Sequence, residues 1–181
     1  MTRANVRTLR VLPYQEQWRM AWDNEWFHIR LDNHALVVFQ AVDQPSYQYL
    51  ACPLDVPNRS EIVTDRLTGD ADVEAALATA ELKKHVYPIR YDWDPEGYRS
   101  GSHPLAHLHF GVDNNIRIGL ARAMSPLAFL YFVLRQEFPE NWTQLLSSNL
   151  GSKAQSVVRH SLTKIDAAYY QRLDQCELYL E

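Results

Sequence analysis

Arg90-Tyr91-Asp92-Trp93-Asp94, a loop from Pro95 to Ser102, and His103-Pro104-Leu105-Ala106-His107-Leu108-His109 follow one another without a break. β-Rich residues flank a loop that contains Gly97, Ser100, Gly101 and Ser102, so the pattern predicts a hairpin. One arm lies within His85 to Asp94 and the other within His103 to Asn114. On an extended strand alternate residues share a face. His107 and His109 then point the same way, and His103 joins them if the strand is regular through Pro104. Asp92 and Asp94 share a face by the same rule, and the short loop brings their strand alongside the histidines.

Three of the seven histidines fall in this stretch. Imidazole changes charge near neutral pH and is the commonest metal ligand, so histidines beside carboxylates mark a candidate site. Two imidazoles with a carboxylate oxygen make a three-ligand centre open to water or substrate, and His107, His109, Asp92 and Asp94 are the candidate ligands. Zinc and manganese suit that donor set. A metal-free alternative uses one histidine as base and another as acid, with Arg90 or Arg99 stabilising negative charge on a phosphate in flight. A third reading is a structural hydrogen-bond network or a solvated strand face.

Outward from this stretch, the first half reads as antiparallel sheet. Glu25 to Leu31 and His34 to Val42 are strand-like runs separated by Asp32-Asn33, a pair suited to a tight hairpin. A second turn at Asp43-Gln44-Pro45-Ser46 leads into a third strand, Tyr47 to Cys52. Trp18, Trp22 and Trp26 recur at helical spacing, although Trp18, Met20 and Trp22 also fit a strand; either way the tryptophans read as core. Asp70 to Lys84 reads as a surface helix with acidic residues early and lysines late.

The last third is helical. Ser125-Pro126 is a helix start, and Leu127 to Phe138 is apolar nearly all round, which predicts a buried helix. Trp142, Leu145, Leu146 and Leu150 form a stripe ending at Gly151, read as a C-terminal cap. Thr163 to Asp166 resembles a capping box, and Ile165, Tyr169, Leu173 and Cys176 continue an apolar face. Asp113 reads as a turn residue, Arg117 and Arg122 as surface or helix-end charges, and His28, His34, His85 and His160 as structural. The expected fold class is α+β, a mainly antiparallel sheet with a helical C-terminal third packed on it, in one domain that is sheet-rich over 1–121 and helical over 122–181.

With 181 residues, 46% of them hydrophobic, the chain can bury a sizeable core. Its 18 basic and 22 acidic residues give a net charge of -4, which excludes the basic footprint of a dedicated nucleic-acid binder. Cys52 and Cys176 form neither a disulfide framework nor a C-x-x-C zinc site. No apolar run approaches a membrane span, which predicts a cytoplasmic protein with no membrane partner. Phosphate-cradling glycine loops, the G-x-S-x-G elbow, H-E-x-x-H and the dinucleotide fingerprint are all missing.

The run from His103 to Gly111, with Ile116-Arg117-Ile118, Ser125-Pro126 and Phe138-Pro139-Glu140-Asn141-Trp142, resembles a family of uncharacterised bacterial proteins with an H-P-x-x-H-x-H signature. Short strands followed by Arg90-Tyr91-Asp92 and clustered histidines are similar to TumE-like toxins of bacterial toxin–antitoxin pairs. The second resemblance implies a nuclease-like or toxin-like role in conflict between bacteria and mobile elements. Two expectations of different classes result. One is a nuclease or phosphodiesterase whose catalytic set is His103, His107, His109, Asp92 and Arg90, acting on nucleic acid. The other is a non-catalytic subunit that binds nucleic acid or an operon-encoded protein such as an antitoxin.

Overall fold

The computed structural model describes residues 9, 11–40, 44–63, 69–114, 116–174 and 179–180. They fall into two compact units. One holds the described residues up to Gln40 together with Gln48–Pro88, and the other holds those up to Tyr47 that follow Gln40, together with the residues from Ile89 on. The fold is α+β, and its strand pairs are mainly antiparallel.

The first unit is built on α1 (Tyr14–Asp23), β1 (Ile29–Arg30) and β2 (Leu36–Gln40), with the C-terminal part of β3 (Ser46–Leu50). Helical spacing puts Trp18 and Trp22 on one buried face of α1, their rings stacked 5.2 Å apart. They pack with Ala21, Leu36, Val38, Leu50 and Cys52, and Trp26 lies partly buried against the same cluster, so the tryptophans are core. The strand predicted from Glu25 shrinks to Ile29–Arg30. The chain is still leaving α1 through Glu25, which adopts φ 54°, while the Trp26 amide donates to Ala21 O. At the following turn the left-handed residue is His34 (φ 60°), not Asp32 or Asn33; the Asn33 side chain instead accepts from the Ala35 amide.

Beyond β4 (Leu54–Asp55) and the single turn α2 (Arg59–Ile62), α3 runs over Gly69–Thr79 and buries Val73 and Leu77. It stops short of Lys83 and Lys84. Glu81–Leu82 (β5) pairs with β4 instead, and the Lys83 amide donates to Pro53 O, so the two lysines never reach the helix dipole. Cys52 is buried with a free thiol, whereas Cys176 lies outside the described residues, as do Ala41 and Val42 of the predicted second strand and Asp43 and Asn115 of the predicted turns.

The second unit carries β6 (Ile89–Trp93), β7 (Ala106–Phe110) and β8 (Ile116–Leu120) in an antiparallel run, with β9 (Arg122–Ala123) after it. Next come α4 (Pro126–Glu137), α5 (Pro139–Leu146) and α6 (Asn149–Ser161), then β10 (Thr163–Lys164), a 3-10 turn at Ala167–Tyr169, and β11 (Tyr179–Leu180), which lies parallel to β8. The hairpin arms are shorter than predicted because His85 to Pro88 and His103 to Leu105 lie outside the regular strands.

Ser125 caps α4 as expected, its Oγ accepting from the Ala128 amide at 3.1 Å. Only Ala128, Phe129 and Val133 of this helix are buried, however, so it is amphipathic and not enclosed all round. Phe129 packs on Tyr47, which stacks on Tyr91, and this fastens the helical layer to one sheet face. Gly151 is not a C-terminal cap. It lies in the first turn of α6, where its amide donates to the Ser148 side chain. Thr163 and Lys164 form no capping box either. They pair with Ala123 and Arg122, and Asp166 caps the 3-10 turn through the Ala168 amide, so among the described residues no α-helix carries Ile165, Tyr169 and Leu173. No helix among the described residues is long and apolar enough to cross a membrane.

Candidate metal centre

The β6–β7 register sets Asp92 opposite His107 and Arg90 opposite His109. Alternation then aims Arg90, Asp92, His107 and His109 to one sheet face, and Tyr91 and Leu108 to the face under α4. On the other side of β7, His109 stands opposite Arg117 and His107 opposite Gly119, which contributes no side chain.

The histidines are held by backbone carbonyls. His107 Nδ1 lies 2.8 Å from Pro104 O, and His109 Nδ1 lies 3.3 Å from Asn114 O. A carbonyl only accepts, so each Nδ1 carries the hydrogen and each Nε2 keeps a lone pair. That arrangement, with the far ring nitrogen tied to a carbonyl, is the one metal-ligating histidines adopt. The two rings are 4.8 Å apart, and the ligand atoms of His107, His109 and Asp92 all lie within 4.8 Å of one another.

Asp92 is oriented from both sides. Its Oδ1 accepts from Ser46 Oγ and its Oδ2 from Arg90 Nε, each at 2.7 Å. Asp92 Oδ2 is also 3.6 Å from His109 Nε2. Two electron-rich atoms so placed repel unless a proton or a cation lies between them.

Protonation is disfavoured here. His107 and His109 are 1% and 4% exposed, and burial pushes both imidazoles below their ordinary range. Arg117 adds to that effect at His107, and Arg90 at His109, against the opposing charge of Asp92. Neutral imidazoles with free lone pairs are the form that binds a metal.

The other predicted residues stand next to this group without entering it. His103 bridges to Arg99 through the backbone, and its ring meets the His107 ring at 5.0 Å. His103 Nε2 is buried without a hydrogen bond, 3.4 Å from Asp94 Oδ2, and burial lowers its pKa as well. Asp94 turns towards the loop, where its Oδ1 accepts from the Gly97 amide at 2.8 Å. Of the four predicted ligands, the structure therefore brings three together and sets Asp94 beside His103. His28, His34, His85 and His160 all lie elsewhere.

Residues 2–170 match the family of uncharacterized conserved proteins DUF2290. The chain belongs to this family. No curated protein and no solved structure matches it.

Two residues of this DUF2290 member were not predicted for the site. Ser46 reaches Asp92 from β3, and no local pattern in the sequence announces that approach. Arg117, read as a surface charge, is exposed but stands opposite His109. Counting the β7–β8 register from the Asp113-Asn114 turn is the one signal that would have found it.

Proposed function

We propose that this protein is a metal-dependent phosphodiesterase or nuclease whose divalent cation, zinc or manganese, is held by His107, His109 and Asp92. The convergence of one ligand atom each from His107, His109 and Asp92 within 4.8 Å carries the reading. Three protein ligands leave positions for a water and a phosphoryl oxygen, and a bound cation lowers the pKa of its water towards neutrality. With a cation held there, neutral His103 would take the proton that the water loses as its oxygen attacks phosphorus, and would pass that proton to the leaving oxygen as its bond to phosphorus breaks. Arg90 orients Asp92, and the Arg117 guanidinium offsets charge that develops on the phosphoryl group. The resemblance to TumE-like toxins supports nucleic acid as the substrate and a role in bacterial defence or toxin–antitoxin conflict.

A second reading keeps the same residues without a metal. The Arg90, Asp92 and His109 contacts favour it, because a proton between Asp92 Oδ2 and His109 Nε2 also relieves their repulsion. Hydrolysis of bis(p-nitrophenyl) phosphate and of RNA and DNA oligonucleotides, with added zinc or manganese and with chelator, separates these readings. The proposal expects turnover that chelator removes and that His109→Ala reduces at least about a hundredfold. Turnover indifferent to chelator selects the metal-free mechanism. A metal-loaded protein that cleaves nothing, yet retains a copurifying partner, is a non-catalytic subunit.

A further inference from the structure

A cavity opens on the sheet face away from the histidines. Leu108, between the two proposed ligands in sequence, lines this cavity of about 500 Å³ in the second unit, within the usual range for small-molecule pockets. Leu120 and Ala128 complete its buried apolar side. Tyr131 and Trp142 wall it, their rings edge to face at 5.6 Å.

Among the described residues the charged groups of this cavity are of one sign, beside the neutral amides of Gln136 and Gln155. Arg122 on β9 and Arg135 on α4 both line it, and among the described residues no acidic side chain does. Among the described residues neither guanidinium has a hydrogen bond or an ion pair, whereas Arg19, Arg30, Arg59 and Arg90 each meet a carboxylate. Two like charges on one cavity, half-buried Arg122 and exposed Arg135, repel each other, and an anion bound beside them relieves that repulsion. Guanidinium suits planar or tetrahedral oxyanions because its fork of donors matches their spacing. The aromatic walls favour a ring, which they meet edge-on or offset.

We propose that this cavity binds a small organic anion with an aromatic body, its ring against the wall formed by Tyr131 and Trp142 and its oxyanion on Arg122 and Arg135. The site stands independently of the metal reading, since none of its lining residues is a proposed ligand.

A pair of probes that differ in charge tests this. 8-Anilinonaphthalene-1-sulfonate has the aromatic body and the anion, and N-phenyl-1-naphthylamine has the body alone. Fluorescence titration of the full chain should show saturable sulfonate binding at one site, about tenfold tighter than the neutral amine, or 1.4 kcal/mol. Arg122→Gln and Arg135→Gln should each erase most of that difference while leaving amine affinity and the urea midpoint unchanged. Ala128→Leu, which fills the cavity, should weaken both probes. Equal affinity for the two probes, sulfonate binding untouched by either arginine change, or no saturable binding at all overturns the proposal.

Discussion

Ser46 on β3 donates its hydroxyl hydrogen to Asp92 Oδ1 on β6 at 2.7 Å. With Arg90 on the other oxygen, this bond sets the plane of the carboxylate that faces His107 and His109. Partners behind a ligand fix its orientation and basicity, and losing one typically costs ten- to a hundredfold in metal affinity. Ser46→Ala should therefore weaken zinc binding by about that factor in a competition titration against a chromophoric chelator, with an unchanged circular dichroism spectrum. Unchanged affinity would show that Asp92 needs no such support.

Asp174 makes a stability prediction. It is fully buried, and its carboxylate accepts from the Gly101 and Gln171 amides and from the hydroxyls of Tyr98 and Ser100. These bonds hold the loop that leads into His103. Asp174→Ala leaves these four donors without their shared acceptor and should destabilise the protein by about 2–3 kcal/mol in urea unfolding.

The same group predicts an acid limb. Burial raises the Asp174 pKa, but the bonds from Gly101, Tyr98, Gln171 and Ser100 outweigh it and bring it down to about 2. An unfolded aspartate titrates near pH 3.9. A folded value below the unfolded one gives stability that is present above about pH 4 and lost as pH falls towards 2. The difference between wild type and Asp174→Ala should be constant near neutrality and shrink across that window. A difference that grows on acidification would contradict the assignment.

Ser125 offers a smaller effect. Its Oγ caps α4 by accepting from the Ala128 amide and lies 2.9 Å from Ser161 Oγ. Ser125→Ala should cost about 1 kcal/mol, visible as a lower urea midpoint, and Ser125→Asp should recover most of it.

The β6–β7 hairpin is legible in the sequence because alternation and a short loop leave little choice of register, and Asp92 does meet His107. The α4 start is legible for a similar reason, since Ser125-Pro126 acts within one turn. Gly151 misleads because a glycine after an apolar stripe reads equally as a helix end or as part of the next helix, and the cap at Ser148 decides between them. Thr163-Lys164 misleads because its partner, Arg122-Ala123, is forty residues away in sequence. Within the site, Asp94 has the right alternation for a ligand, yet β6 ends at Trp93 and the Gly97 amide claims its carboxylate. Ser46 enters only through strand order, which no local spacing encodes.

Elemental analysis of the purified protein after loading with zinc or manganese and removal of excess metal tests the centre most directly. The wild type should retain about one equivalent per chain, the His107→Ala, His109→Ala double variant almost none, and Asp94→Ala the full amount. Wild-type protein that retains no metal, or a double variant that retains as much as wild type, would contradict a centre built on His107, His109 and Asp92.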